Sequence, residues 1–131
     1  MAKILLVEDN EINRDMLTRR LSRLGYTVIV ARDGEQGEIL ANKAQPDLIV
    51  MDVGLPNMNG LQLTRILKSS PQTRHIPIIV LTAYTQVEDR DRAFAAGCDE
   101  YAPKPIAFNQ LSLMIRNLLV ATRSALKPTG V

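Results

Sequence analysis

Five short apolar runs recur along the chain, at residues 3–7, 27–31, 48–51, 76–82 and, more weakly, 100–102. Each is separated from the next by a stretch long enough for a helix. Strands alternating with helices are joined by crossovers rather than hairpins, so they pair in parallel with helices on both faces of the sheet. The run Leu48-Ile-Val-Met51 has no polar alternation, which is the pattern of a strand buried on both sides. Five βα units predict an α/β fold, a doubly wound five-stranded parallel sheet of order 2-1-3-4-5 with five helices. A length of 131 residues suits one domain with a real core. That domain is expected over residues 1–121, with 122–131, which include Pro128 and Gly130, as a flexible C-terminal tail.

Composition removes several function classes. The net charge is only +2, and no basic run or aromatic-interleaved basic patch points to nucleic acid. The single cysteine, Cys98, excludes an internal disulfide and a cysteine-based zinc site, and suits a reducing compartment. Cys98 itself is expected to be a small packing residue. The apolar start of the chain is too short for a signal sequence or a membrane span, so a soluble, cytoplasmic protein is expected.

In a doubly wound sheet, sites form just beyond the carboxyl ends of the strands. The third run ends on Asp52 and is followed by Gly54, Pro56 and Gly60, which cannot continue a strand. Asn57 and Asn59 are better placed than Asp52 to cap a helix starting near Gly60, so Asp52 is left for chemistry. The first run ends on the adjacent acids Glu8 and Asp9. The fourth ends at Thr82, followed by Ala83 and Tyr84. The fifth leads to Lys104 and Pro105, where a cis peptide bond suits the tight turn. His75, the only histidine, stands in a polar loop before Pro77 and reads as solvated.

The helices supply packing faces. In the first, ending at Leu24 before Gly25, Leu17, Leu21 and Leu24 share a stripe, while Ile12 and Met16 fall outside it as exposed apolar groups near the acids. A partner-docking patch there competes with ordinary scattered exposure. The second runs from Asp33 or Gly34 to about Ala44 before Pro46. The third spans about 60–69, with Leu61, Leu63, Ile66 and Leu67 inward. The fourth, about 86–96 with Gly97 as its stop, is highly charged and has few apolar positions, so little burial holds it and it is a candidate for movement. The last, about 107–121, packs Leu111, Met114, Ile115 and Leu118.

Glu8, Asp9, Asp52, Thr82 and Lys104 thus converge on one edge of the sheet. Three carboxylates in one crevice repel one another and call for a cation, and hard oxygen ligands suit magnesium. An ionised aspartate beside such an ion can attack phosphorus, and phosphoryl transfer depends mainly on positioning and charge stabilisation.

With these residues in place, the chain closely resembles response-regulator receiver domains, the CheY-like (flavodoxin-like fold) family of two-component signalling. The likeness spans about residues 3–119 and rests on Glu8-Asp9, Asp52, Leu55-Pro56 with Asn59-Gly60, Thr82-Ala83, Tyr101 and Lys104-Pro105. The resemblance implies that Asp52 accepts a phosphoryl group from a phosphohistidine on a sensor histidine kinase or histidine phosphotransfer protein. It implies magnesium held by Asp9, Asp52 and the Gly54 carbonyl, with Glu8 acting through a water, and Thr82, Ala83 and Lys104 on the phosphoryl oxygens. Thr82 would turn toward the phosphate and Tyr101 swing inward, remodelling the surface of the fourth helix, fifth strand and fifth helix for a downstream protein or a phosphorylation-dependent homodimer. Partner docking is expected at Ile12, Met16 and Pro105. The chain would catalyse only its own phosphorylation and dephosphorylation.

Departures from the family pattern are small. Glu8 stands where aspartate is commoner. Gly54 and Tyr84 occupy positions that influence hydrolysis of the aspartyl phosphate, with Tyr84 expected to screen it and Gly54 to leave the other side open. A haloacid-dehalogenase-type phosphatase fits poorly, since it needs a second aspartate where Gly54 stands. A flavin binder fits poorly because acids occupy the first loop. A receiver that signals without phosphate usually lacks one of the acids or the lysine, and none is lost here. No output domain is expected after the last helix. The expectation is therefore a stand-alone regulator, with a relay intermediate or a receiver cut from a hybrid kinase as alternatives.

Overall fold

The computed structural model describes residues 2–83 and 86–126, with side chains as far as Thr122. Strands β1 (Lys3–Val7), β2 (Thr27–Ala31), β3 (Leu48–Asp52), β4 (Ile78–Thr82) and β5 (Glu100–Pro103) alternate with helices α1 (Glu11–Arg23), α2 (Gly34–Ala44), α3 (Gly60–Ser69), α4 (Val87–Ala96) and α5 (Phe108–Leu126). The sheet is parallel throughout and ordered β2-β1-β3-β4-β5, as the alternation predicts. Every residue of β3 and β4 is buried, which explains their unbroken apolar sequences. Successive side chains point to opposite faces. Leu5, Val7, Ile49, Met51, Ile78 and Val80 meet Ala41 of α2, Leu63 and Leu67 of α3 and Ala93 of α4. Ile4, Leu6, Leu48, Val50, Ile79 and Leu81 meet Leu17 and Leu21 of α1 and Leu111, Ile115 and Leu119 of α5.

Several boundaries and faces differ from the sequence reading. β4 starts at Ile78, because Pro77 has no N–H to give the ladder. Leu24 is 50 % exposed: α1 stops at Arg23, Leu24 is its C-cap, and Tyr26 packs against the core instead. Ile66 is also exposed, since the buried stripe of α3 is Gly60, Leu63, Thr64 and Leu67. Thr64 is tolerated there because its hydroxyl donates to the Gly60 carbonyl at 2.7 Å. α5 continues to Leu126, past the expected end at Ala121. The rest of the expected tail, 127–131, and Tyr84 with its screening role lie outside the described residues.

The loops at the carboxyl edge are short and pinned by caps. Asn10, Asp33 and Asn59 each accept the N3 amide of the helix that follows, from Asn13, Gln36 and Gln62; such a cap contributes about 1 kcal/mol. Gly60 is needed for space as well. Its amide donates to the Val53 carbonyl at 3.0 Å, and a Cβ there would overlap the Asp52 carbonyl oxygen. The start of α3 is thereby clamped against the end of β3.

Candidate phosphoacceptor and metal site

Register brings the strand ends together. β3 lies between β1 and β4, with Val7 opposite Met51 and Asp52 opposite Leu81. Thr82 is opposite Pro103 on β5, and the Lys104 amide donates to the Thr82 carbonyl at 2.8 Å. Lys104 is thus tied to the same edge, and the peptide bond that follows it, Lys104–Pro105, is cis. Its ammonium reaches across β4 and donates to Asp52 Oδ1 at 2.7 Å. The Gly54 amide donates to the same oxygen at 3.1 Å. Asp52 and Thr82 are buried, and Asp9 is exposed. Ala83 is exposed just beyond Thr82.

One carboxylate oxygen from each of Glu8, Asp9 and Asp52 lies within 4.8 Å of the others. Glu8 is almost fully buried. Its Oε2 accepts the Asn10 amide at 3.1 Å, but among the described residues its Oε1 has no donor. Burial pushes the Glu8 carboxyl up to about 7; the Asn10 amide opposes this, and the charge of Asp52 adds to it. Protonated, Glu8 gains a hydrogen to share with Asp52; ionised, Oε1 is a buried acceptor facing other acids. A donor set of three hard oxygens with one buried and unsatisfied fits a hydrated magnesium ion, which would neutralise the charge and bring a water able to donate to the orphaned oxygen.

Tyr101 is half-buried, at β5 opposite Val80. It borders two spaces. One, of about 300 Å³, lies between α3 and α4 and is lined by Val53, Leu61, Thr82, Asp89 and Ala93. The other, of about 660 Å³, lies along α4 and β5 and is lined by Val87, Arg90, Phe94 and Pro103. α4 buries only Ala93 and Ala96, in keeping with its charged sequence. On α1, Ile12 is 78 % and Met16 38 % exposed, and both line a shallow groove of about 380 Å³ with Arg19 and Arg23. Pro105 is exposed and His75 is in solvent. Cys98 is buried.

The sequence reading missed one residue near the acids. Arg14, in the first turns of α1, donates from Nη1 to the carbonyl oxygens of Glu8 and Asp9. The available signal was a cation one helical turn beyond an acidic strand end.

Comparison with known proteins agrees with this geometry. Residues 4–116 match the response regulator receiver domain. The polar-differentiation response regulator DivK of Brucella anthropi is 37 % identical over 116 residues, covering 88 % of this chain and 94 % of DivK. The receiver domain of sensor histidine kinase PA1611 from Pseudomonas aeruginosa, solved with a magnesium ion in its active-site cleft, superposes with a TM-score of 0.83 at 35 % identity, covering 90 % of this chain and 97 % of that one. The chemotaxis response regulator CheY4 of Vibrio cholerae gives a TM-score of 0.84 at 31 % identity, over 90 % and 98 %. Among the described residues no helix is long and apolar enough to cross a membrane. The strand order, the acidic cluster with its lysine and the matched span together place this chain in the response regulator receiver domain family of two-component signalling.

Proposed function

We propose that the chain is a stand-alone, cytoplasmic response regulator that takes a phosphoryl group onto Asp52 from a phosphohistidine partner. The observation that carries this reading is the cluster of Glu8, Asp9 and Asp52 within 4.8 Å, closed on one side by the Lys104 ammonium at 2.7 Å from Asp52. In the reaction a carboxylate oxygen of Asp52 bonds to phosphorus as the P–N bond of the phosphohistidine breaks, and the imidazole nitrogen keeps the electron pair. Asp9, Asp52 and the Gly54 carbonyl would hold magnesium, with Glu8 acting through water. When bound, the ion supplies positive charge to the phosphoryl oxygens. Lys104 then exchanges its contact with Asp52 for one with a phosphoryl oxygen, and the Thr82 hydroxyl and Ala83 amide approach the others.

The readout follows from Thr82 and Tyr101. Movement of Thr82 toward the phosphate opens the inner space for the Tyr101 ring, and the α4–β5–α5 surface changes for a downstream protein or a second copy. The two spaces bordering Tyr101 and the thin burial of α4 support this. Ile12, Met16 and Pro105 would receive the phosphodonor protein. On this reading the chain is not an enzyme toward any outside substrate.

Incubation with acetyl phosphate and magnesium, read by intact mass, tests the chemistry. A single phosphate adduct is expected on the wild type and none on Asp52→Ala. An adduct on both, or on neither, would sink the assignment. The likeness to the receiver domain of a sensor histidine kinase keeps a second reading, a relay intermediate. It requires the phosphorylated chain to hand its phosphoryl group to a histidine phosphotransfer protein faster than it hydrolyses.

A further inference from the structure

The β1–α1 loop carries two of the three site acids, and the long side chain of Arg14 reaches back to it. Arg14 is half-buried, and its Nη1 donates to the Glu8 carbonyl at 3.1 Å and to the Asp9 carbonyl at 3.4 Å. We propose that Arg14 is a positioning residue for the metal at this site. By holding two consecutive carbonyls it fixes the backbone orientation from which the Glu8 and Asp9 carboxylates project. This rests on the metal reading above.

The loop's other anchors leave the two carbonyls unheld: the Asn10 amide fixes one Glu8 carboxylate oxygen at 3.1 Å but neither carbonyl. The Glu8 amide is held by the Ala31 carbonyl at 3.0 Å, which continues the sheet but ends before the Glu8 carbonyl. Asn10 caps α1 through Asn13, which fixes the loop only from its far end. Between these two lie the Glu8 and Asp9 carbonyls, the stretch from which both carboxylates branch. Charge-assisted bonds from a planar guanidinium are stronger and more directional than neutral ones. Groups that orient metal ligands without touching the metal commonly change affinity by about 10–100-fold when removed.

Arg14 could also act through its charge alone, and that possibility has the opposite sign. A cation beside three acids competes with magnesium, so losing its charge would tighten binding. Losing the clamp would weaken binding. Two variants separate these effects. Arg14→Lys keeps the charge on a side chain one bond shorter, without the fork. Arg14→Gln removes the charge.

The experiment is magnesium titration of the full chain followed by ¹H–¹⁵N NMR, with Tm and amide exchange measured in EDTA. Both variants should bind magnesium about tenfold more weakly. Their Tm should stay close to wild type, and the Asp9 and Asn10 amides should exchange faster in the metal-free protein. Wild-type affinity in Arg14→Lys together with tighter binding in Arg14→Gln would overturn positioning in favour of charge. A lowered Tm with unchanged affinity in both would reduce Arg14 to a structural residue. A wild type that takes up no magnesium would overturn the metal reading itself. The metal-free exchange rates would then still decide whether the clamp orders the loop.

Discussion

Two lysine–aspartate pairs close the two edges of this sheet with nearly equal contacts and opposite consequences. At the amino edge, Lys68 Nζ meets Asp99 Oδ2 at 2.8 Å and also donates to the carbonyls of Arg74 and Ile76. The same Asp99 oxygen accepts the Ile78 amide at 2.8 Å, so α3, the loop after it, the first residue of β4 and the residue before β5 are tied together. At the carboxyl edge, Lys104 meets Asp52 at 2.7 Å, but two further carboxylates crowd the pair, and among the described residues one buried oxygen has no donor. A saturated pair is structural. A pair crowded by two more acids, one of them buried with an unsatisfied oxygen, is a local conflict of the kind that marks functional sites.

The largest expected effect is a double dissociation between the edges. Asp52→Asn should abolish the phosphate adduct while leaving Tm in EDTA unchanged or higher, since it removes one of three repelling acids. Asp99→Ala should leave the adduct and lower stability by about 1–2 kcal/mol, because Lys68 and the Ile78 amide lose an acceptor. Asp99 is 36 % exposed, which keeps the loss below that of a buried pair. For a domain of this size that is a Tm lower by roughly 5 °C. Equal Tm losses in both variants would erase the distinction.

Glu8 gives a smaller and pH-dependent difference. Its carboxyl is raised from 4.5 to about 7 in the folded, metal-free protein. Stability from the protonated form is therefore complete below pH 4.5 and is lost as pH rises to 7. Glu8→Gln removes this dependence. In EDTA the variant should match the wild type at pH 4 and exceed it by about 2–3 kcal/mol at pH 8. Saturating magnesium should shrink or reverse that gap, since an ion that binds only the folded state stabilises it. Denaturant melts at both pH values check this, and a gap as large at pH 4 as at pH 8 would contradict the burial of an ionisable Glu8.

Much of this was legible in the sequence. The order of the strands followed from alternation. The site followed from the rule that strand ends converge, which needs only to know where each apolar run stops. Asp52 and Lys104 were readable because Gly54, Pro56 and Pro105 mark those stops. Burial details were not, since periodicity gives a face but neither its width nor the last helical turn. Ile66 sits at the flank of a stripe centred on Leu63, Thr64 and Leu67, where a satisfied threonine takes an apolar position. Arg14 was invisible because the reach of a long side chain back along the chain leaves no periodic trace. The near-complete burial of Glu8 depends on packing from neighbouring strands, which no local window contains.

The two ends of α1 extend the contrast between edges to apolar groups in solvent. Ile12 stands at the carboxyl edge and Leu24 at the amino edge, 78 % and 50 % exposed. Exposed apolar side chains scattered over a surface carry no meaning by themselves, so exposure alone would treat the two alike. Location separates them, since Ile12 stands at the edge that carries the acids and lines the α1 groove, and Leu24 does neither. Leu24→Gln should shift stability by no more than about 0.5 kcal/mol, as for other surface substitutions, and should leave phosphoryl uptake from every donor unchanged. Ile12→Gln should be equally silent in stability and in uptake from acetyl phosphate, yet slow uptake from a histidine phosphotransfer protein several-fold. Side-by-side rates with the small and the protein donor provide the check. Slowing by Leu24→Gln with the protein donor would move the docking surface down the helix, away from the edge that carries the chemistry.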